Sequence, residues 1–161
     1  MPIKVGDRLP EASFRVMGPQ GPAAKTTDEI FKGKKVVLFA VPGAFTPTCS
    51  NNHLPGFLEK ADAFKAKGVD AIAVTGVNDV FVMDAWKKAT GAGAKIEFLA
   101  DGNADFAKAI DLSLDGSGAG LGIRSKRYAM LVEDGVVKVL NIEETPGKAE
   151  ASGAENLLKQ I

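Results

Sequence analysis

The sequence predicts an α/β fold, one domain with a central mixed β-sheet flanked by helices on both faces. Three observations carry that prediction. Short continuous apolar runs of strand length alternate with longer segments of helical periodicity. Two late apolar runs are joined by an Asp-Gly turn. The 161 residues and 45% hydrophobic content suit a single domain, residues 1–161, with a full core.

Residues 36–41 read Val-Val-Leu-Phe-Ala-Val, residues 70–75 form a second run, and residues 96–100 a shorter third. Runs without polar alternation indicate strands covered on both faces. Residues 128–132 and 136–140 flank Glu133-Asp134-Gly135 and read as a hairpin, because Asp-Gly tolerates the positive φ of a tight turn. Between the runs, residues 53–67 carry Leu54, Phe57, Leu58, Ala61 and Phe64 near helical spacing, with Gly68 as the stop. Asn78 or Asp79 caps a helix running through Phe81, Val82, Ala85 and Trp86 to Gly91. Residues 104–110 form a short helix, and Ser152 with Glu155 makes a capping box ahead of Leu157, Leu158 and Ile161. The glycine-rich stretch 116–122 does not fit G-x-G-x-x-G and follows no clear strand, so it reads as a loop and not a nucleotide cradle.

Several function classes drop out. Lysine plus arginine equals aspartate plus glutamate at 20 each, which gives no nucleic-acid footprint. The longest apolar run, residues 36–42, falls far short of the ~20 residues that span a bilayer. The N-terminal residues lack the apolar core of a signal peptide, so a soluble, cytoplasmic protein is expected. A single cysteine excludes an intrachain disulfide and a Cys-x-x-Cys motif, and it suits a reducing compartment. No metal site is expected, since Cys49 and His53 lack two further ligands.

The informative segment is Val41-Pro42-Gly43-Ala44-Phe45-Thr46-Pro47-Thr48-Cys49-Ser50, where a buried strand gives way to a helix. Thr46 is a natural N-cap and Pro47 suits the first helical position, which puts Cys49 in the first turn. First-turn N–H groups lack intrahelical partners and the helix dipole favours negative charge there, so the site favours a reactive thiolate. A lone cysteine is otherwise commonly a small buried hydrophobe. The surrounding prolines, glycine and threonines shift the balance, because they fix the turn and supply donors. His53 lies four residues on and shares the helix face of Cys49. That pair leaves a Cys/His hydrolase or acyltransferase open, against the plainer reading of a packed polar histidine.

The segment from Pro42 to Cys49 resembles the Pro-x-x-x-Thr-x-x-Cys motif of the peroxiredoxin family. His53-Leu54-Pro55-Gly56, Val77-Asn78-Asp79-x-Phe81-Val82-Met83 and Leu121-Gly122-Ile123-Arg124-Ser125-x-Arg127-Tyr128 are similar to its peroxiredoxin 5 subfamily. The resemblance implies a thioredoxin-like fold and reduction of hydrogen peroxide or alkyl hydroperoxides through a sulfenic acid on Cys49. It implies that Thr46 hydrogen-bonds thiolate and peroxide, that Pro42 shields the pocket, and that Arg127 holds thiolate and peroxide, with Arg124 the nearest competitor. It places no bound cofactor in the chain. The positions of a second, resolving cysteine in some relatives fall near Ala151 and Ser152, or near Val74, and none of these is cysteine. A one-cysteine enzyme recycled by an external thiol is therefore expected, glutathione with glutaredoxin first and thioredoxin second. A peroxide-sensing thiol relay is the alternative of another class. Relatives also dimerise, which makes Phe45 and Phe81 candidate contacts of a homodimer, against ordinary core packing.

Overall fold

The computed structural model describes residues 2–145 and 148–161. Among these, the strands are β1 (Ser13–Gly18), β2 (Gly21–Thr26), β3 (Lys35–Val41), β4 (Ala71–Gly76), β5 (Glu97–Ala100), β6 (Ser113–Asp115), β7 (Ile123–Ser125), β8 (Tyr128–Glu133) and β9 (Val136–Ile142). The α-helices are α1 (Thr27–Phe31), α2 (Leu54–Glu59), α3 (Ala61–Ala66), α4 (Val80–Thr90), α5 (Asp105–Ala109) and α6 (Ala154–Lys159). Seven strands form one sheet in the order β2-β1-β5-β4-β3-β8-β9. The central β3, β4 and β5 are parallel, and β1, β8 and β9 join antiparallel. This is the mixed α/β sheet expected from the alternating runs.

β3 shows why its sequence is apolar throughout. Residues 36–41 are all fully buried, and alternate side chains enter different cores. Val37, Phe39 and Val41 pack with Cys49, Leu54, Phe57, Phe64, Trp86 and Leu157 on one face. Val36, Leu38 and Ala40 pack with Ile30, Phe31, Phe106, Tyr128 and Met130 on the other. On the Cys49 face Phe39 stacks on Phe57 at 4.1 Å between ring centroids. β3 thus delivers the segment containing Cys49 to the edge of a packed core.

The helix expected over 53–67 is broken into parts. A π-helical turn covers Cys49–His53, with the Leu54 N–H reaching back to the Cys49 carbonyl. α2 and α3 follow, separated at Lys60. α3 ends as Gly68 foretells: its φ is +86°, and the N–H groups of Gly68 and Val69 bond to the carbonyls of Lys65 and Phe64. Asp79, not Asn78, caps α4 by accepting from the Val82 N–H at 2.8 Å. The capping box expected at Ser152 does not form. Gly153 occupies the N-cap of α6, and the Ser152 hydroxyl bonds to Glu143 instead. The 116–122 stretch is the turn between β6 and β7, in keeping with the loop reading.

The β1–β2 hairpin and α1 were not foreseen, because β2 reads Gly-Pro-Ala-Ala-Lys-Thr and lies at the sheet edge, where little apolar surface is needed. Thr26 and Glu29 form the capping box of α1.

α5 depends on a capping carboxylate. Buried Asp101 accepts from the N–H groups of Phe106 at 3.1 Å and Ala107 at 3.0 Å. Asp101→Ala leaves both buried donors without that acceptor, at a cost of about 1–3 kcal/mol. Urea unfolding should show a lower midpoint for Asp101→Ala and a smaller loss for Asp101→Asn, which keeps one acceptor oxygen. An unchanged midpoint in Asp101→Ala would show that α5 does not need the carboxylate.

Candidate active site

β3 ends at Val41, and the chain crosses Pro42 to Ala44 before helical structure begins at Pro47. Phe45 takes a positive φ of 65° in this crossing. Asn78 braces it by accepting from the Ala44 N–H at 2.9 Å, so its side chain serves the loop and not α4. Cys49 then opens the π-helical turn and is fully buried. Single π turns inside helices occur frequently at functional sites. Trp86 of α4 ties down the next residue, with its indole N–H donating to Ser50 Oγ at 3.2 Å.

Two side chains meet the sulfur. Thr46 Oγ1 lies 2.7 Å from Cys49 Sγ and 2.8 Å from the Gly43 carbonyl oxygen. A hydroxyl has one proton and two lone pairs, and a carbonyl only accepts. With a thiol, S–H donates to Thr46 and Thr46 donates to Gly43. With a thiolate, the hydroxyl proton is free to turn to the sulfur. Thr46 thus serves the sulfur and not the helix N–H groups that a capping role would engage.

Arg127 approaches from the start of β8. Its Nη2 donates to Cys49 Sγ at 3.1 Å, and the residue is 3% exposed. Its Nη1 donates to His53 Nδ1 at 2.9 Å. The Ser152 carbonyl lies 2.9 Å from His53 Nε2 and only accepts, so Nε2 carries the imidazole proton and Nδ1 is the bare acceptor. Burial first, and then the Arg127 charge, push the His53 titration down from 6.5 to about 3, which keeps the ring neutral at neutral pH. Phe39 and Phe57 clamp the ring edge-on at 5.0 and 5.5 Å.

His53 therefore sits beside the thiol without addressing it. Both ring nitrogens face other groups, which removes the geometric basis for a Cys/His hydrolase. Arg124, the competing arginine, is used differently. It donates to the carbonyls of Leu121 at 2.9 Å and Pro42 at 3.4 Å and so ties the two walls of the cleft together.

Above the sulfur lies a cleft of ≈ 440 Å³ lined by Pro42, Thr46, Leu114, Gly116, Leu121 and Arg127, among others. Thr46 and Arg127, which both touch the sulfur, thus also line the cleft, with Pro42 beside them. The 116–122 turn supplies a wall, a role that its composition did not announce. A larger groove of ≈ 630 Å³, bounded by α2 and residues 149–156, is lined by neither Cys49 nor Arg127. Phe45 and Phe81 are 51% and 64% exposed, so neither belongs to the core. Among the described residues, no group of three or more His, Cys, Asp or Glu side chains is arranged to hold a metal ion, and no helix is long and apolar enough to cross a membrane.

One participant escaped the sequence reading. Glu143, one residue beyond β9, accepts from the Ser152 N–H at 3.1 Å and the Ser152 hydroxyl at 3.0 Å. Partial burial pushes its carboxyl upward, but hydrogen bonds from Ser152 and from the backbone of Ala151 and Glu150 outweigh it and hold the group below the usual carboxylate range. Nothing in the spacing of Glu143, Ser152 and His53 signals this assembly.

Comparison with known proteins agrees with the geometry. The family model described as Redoxin matches residues 4–158. The chloroplastic peroxiredoxin-2E-2 of Oryza sativa subsp. japonica is 53% identical over 164 residues, covering 99% of this chain and 72% of that protein. Peroxiredoxin-2C of the same organism is 48% identical over 161 residues, covering 99% of each. The structure of reduced Prx3 from Vibrio vulnificus in complex with hydrogen peroxide matches with a TM-score of 0.93 at 51% identity, covering 98% of both chains. The fold is thioredoxin-like, and the chain belongs to the peroxiredoxin family as a thiol peroxidase.

Proposed function

We propose that the chain is a one-cysteine peroxidase of the peroxiredoxin 5 type that reduces hydrogen peroxide and alkyl hydroperoxides at Cys49 and is recycled by an external thiol. The observation that carries this reading is the convergence of Thr46 and Arg127 on a buried sulfur. The Cys49 thiolate attacks the terminal peroxide oxygen, the O–O bond breaks, and the electron pair leaves on the other oxygen as alkoxide or hydroxide. Sulfur is oxidised to the sulfenic acid, and the leaving oxygen takes up a proton.

Charge moves from sulfur toward the leaving oxygen during that step. The Arg127 fork is aimed at the start of that path, and fixed donors of this kind stabilise the transition state. Thr46 follows the charge by turning one hydroxyl. Pro42 covers the site and excludes water, which strengthens these interactions. The apolar side chains of Leu114 and Leu121 in the cleft wall support an organic group on the peroxide.

The chain has one cysteine, so no second thiol of its own can condense with the sulfenic acid. An external thiol does so with loss of water, and a second thiol releases Cys49 as the free thiol. Glutathione with glutaredoxin is the first candidate reductant and thioredoxin the second. Exposed Phe45 and Phe81 support a homodimer in which a second copy covers them. A cytoplasmic location accords with the need for a reducing supply.

Cys49→Ser should abolish peroxide consumption in steady-state assays run side by side with glutaredoxin and thioredoxin systems. Wild-type turnover is expected with glutathione and glutaredoxin. Turnover with thioredoxin alone would reverse the order of reductants, and stoichiometric oxidation with neither system turning over would favour a peroxide sensor. Arg127→Gln should lower the second-order rate constant for peroxide by about 10²–10³, the usual cost of one lost charge-stabilising donor. A loss of less than about threefold would remove Arg127 from the transition state.

The neutral His53 also makes acid the weak side of the fold. Its folded-state pKa of about 3 lies below its unfolded value of 6.5, so in that window the unfolded chain binds a proton that the folded chain does not. Stability should therefore fall as pH drops below 6.5, by at most about 1.4 kcal/mol per pH unit from this group. The buried Asp101 carboxyl, raised by desolvation, works in the opposite sense. Urea midpoints between pH 7 and 5 should decline in the wild type and flatten in His53→Gln. A flat wild-type profile would contradict a buried neutral His53.

A further inference from the structure

We infer that Glu143 is a positioning residue for the peroxide step: through Ser152 it fixes the tautomer of His53, and His53 thereby fixes the Arg127 fork on the Cys49 sulfur. This rests on the peroxidase reading of Cys49 and adds a part of the machinery that lies outside the sulfur's own neighbours.

The links run without a break from β9 to the thiol. Glu143 Oε1 accepts from both the N–H and the hydroxyl of Ser152, which is fully buried. The held residue presents its carbonyl to His53 Nε2 at 2.9 Å. An acceptor at that place admits one neutral tautomer, with the proton on Nε2. The bare Nδ1 then receives Arg127 Nη1 at 2.9 Å while Nη2 donates to the sulfur at 3.1 Å. In the other tautomer Nδ1–H would confront the guanidinium donor to donor, and the fork would have to move.

The order of charges makes chemical sense. A carboxylate at the position of His53 would also orient Arg127, but it would share the guanidinium charge with the thiolate and weaken the pull on sulfur. A neutral imidazole accepts the hydrogen bond and leaves the positive charge to the sulfur. The Glu143 carboxylate stands two links further out on Ser152, while the Glu143 backbone N–H donates to the Arg127 carbonyl at 2.9 Å. The Phe39 and Phe57 rings hold the imidazole plane. The ring is thus clamped in plane by packing and in proton position by Ser152.

The test uses the full reduced chain and hydrogen peroxide. His53 is the only histidine and Trp86 the only tryptophan, so long-range ¹⁵N NMR reads the tautomer of one ring and stopped-flow fluorescence follows one indole, which is bonded to Ser50 beside Cys49. Wild type should hold the Nε2–H form alone. Glu143→Ala should mix the tautomers and slow the reaction of Cys49 with peroxide about tenfold, as expected for a small misplacement of a reacting group. Glu143→Gln keeps an acceptor oxygen for Ser152 and should restore the single tautomer and a rate within about threefold of wild type. An unchanged rate in Glu143→Ala overturns the proposal, as does a slowed rate with the tautomer intact, since the effect would then bypass His53. If Glu143→Ala does not fold, Glu143→Gln decides: a mixed tautomer at the wild-type rate overturns the proposal. A wild-type Cys49 that ignores peroxide would instead sink the peroxidase site itself, and the tautomer comparison would still show whether Glu143 holds His53.

Discussion

A cationic fork that reaches a buried sulfur from the start of the neighbouring strand is a demanding arrangement. Arg127 must leave water, keep its charge and hold 3.1 Å from Cys49 Sγ, with only 3% of the residue exposed. An arginine is not buried this deeply without acceptors on its other donors. His53 supplies one, and the structure around the site serves to keep these three residues in register. β8, which follows Arg127 directly, is bonded along its length to β3, which leads into the Cys49 segment. Adjacent strands of one sheet therefore set the separation between cation and thiol, and rigid elements hold such geometry better than loops.

The core beneath the site has a comparable role. Phe39 of β3, Phe57 of α2 and the His53 ring form one aromatic cluster, which continues through a stacked Phe57–Phe64 pair. The π-helical turn places Cys49 and His53 four residues apart yet lets both face Arg127. A packed core and a polar site thus share one boundary. Polar groups at that boundary are matched: Thr46 with Gly43, Arg127 with His53, His53 with Ser152, and Ser152 with Glu143. Low dielectric strengthens each of these links and makes loss of any one expensive.

Much of this was legible in the sequence, for physical reasons that differ by element. β3 and β4 announce themselves because strands covered on both faces must be continuously apolar. The β8–β9 hairpin is marked by Asp134-Gly135, both of which take the positive φ that the turn requires. Cys49 and Thr46 are local partners, three residues apart, so one motif contains them both. Arg127 is 78 residues from Cys49, and only the family resemblance singled it out from Arg124. Edge strand β2 was not legible, because an exposed edge imposes little hydrophobic pattern. Ser152 misled for a related reason: Ser-x-x-Glu favours a cap, but the partly buried Glu143 offered the hydroxyl a stronger, charged partner. His53 was legible as a neighbour of Cys49 but not as the acceptor of Arg127, since its proton position is set by the carbonyl of Ser152, 99 residues away.

The proposed peroxidase places the reacting sulfur at Cys49, held by Thr46 and Arg127 beside the cleft that Pro42 also lines. The most direct measurement is intact and peptide mass spectrometry of the reduced chain after one equivalent of hydrogen peroxide, with no other thiol present and a sulfenic-acid trap added. The account predicts one trap adduct per chain, located on Cys49, with the methionines unoxidised. A Cys49 thiol that survives the equivalent, or oxygen found on methionine in its place, would contradict it.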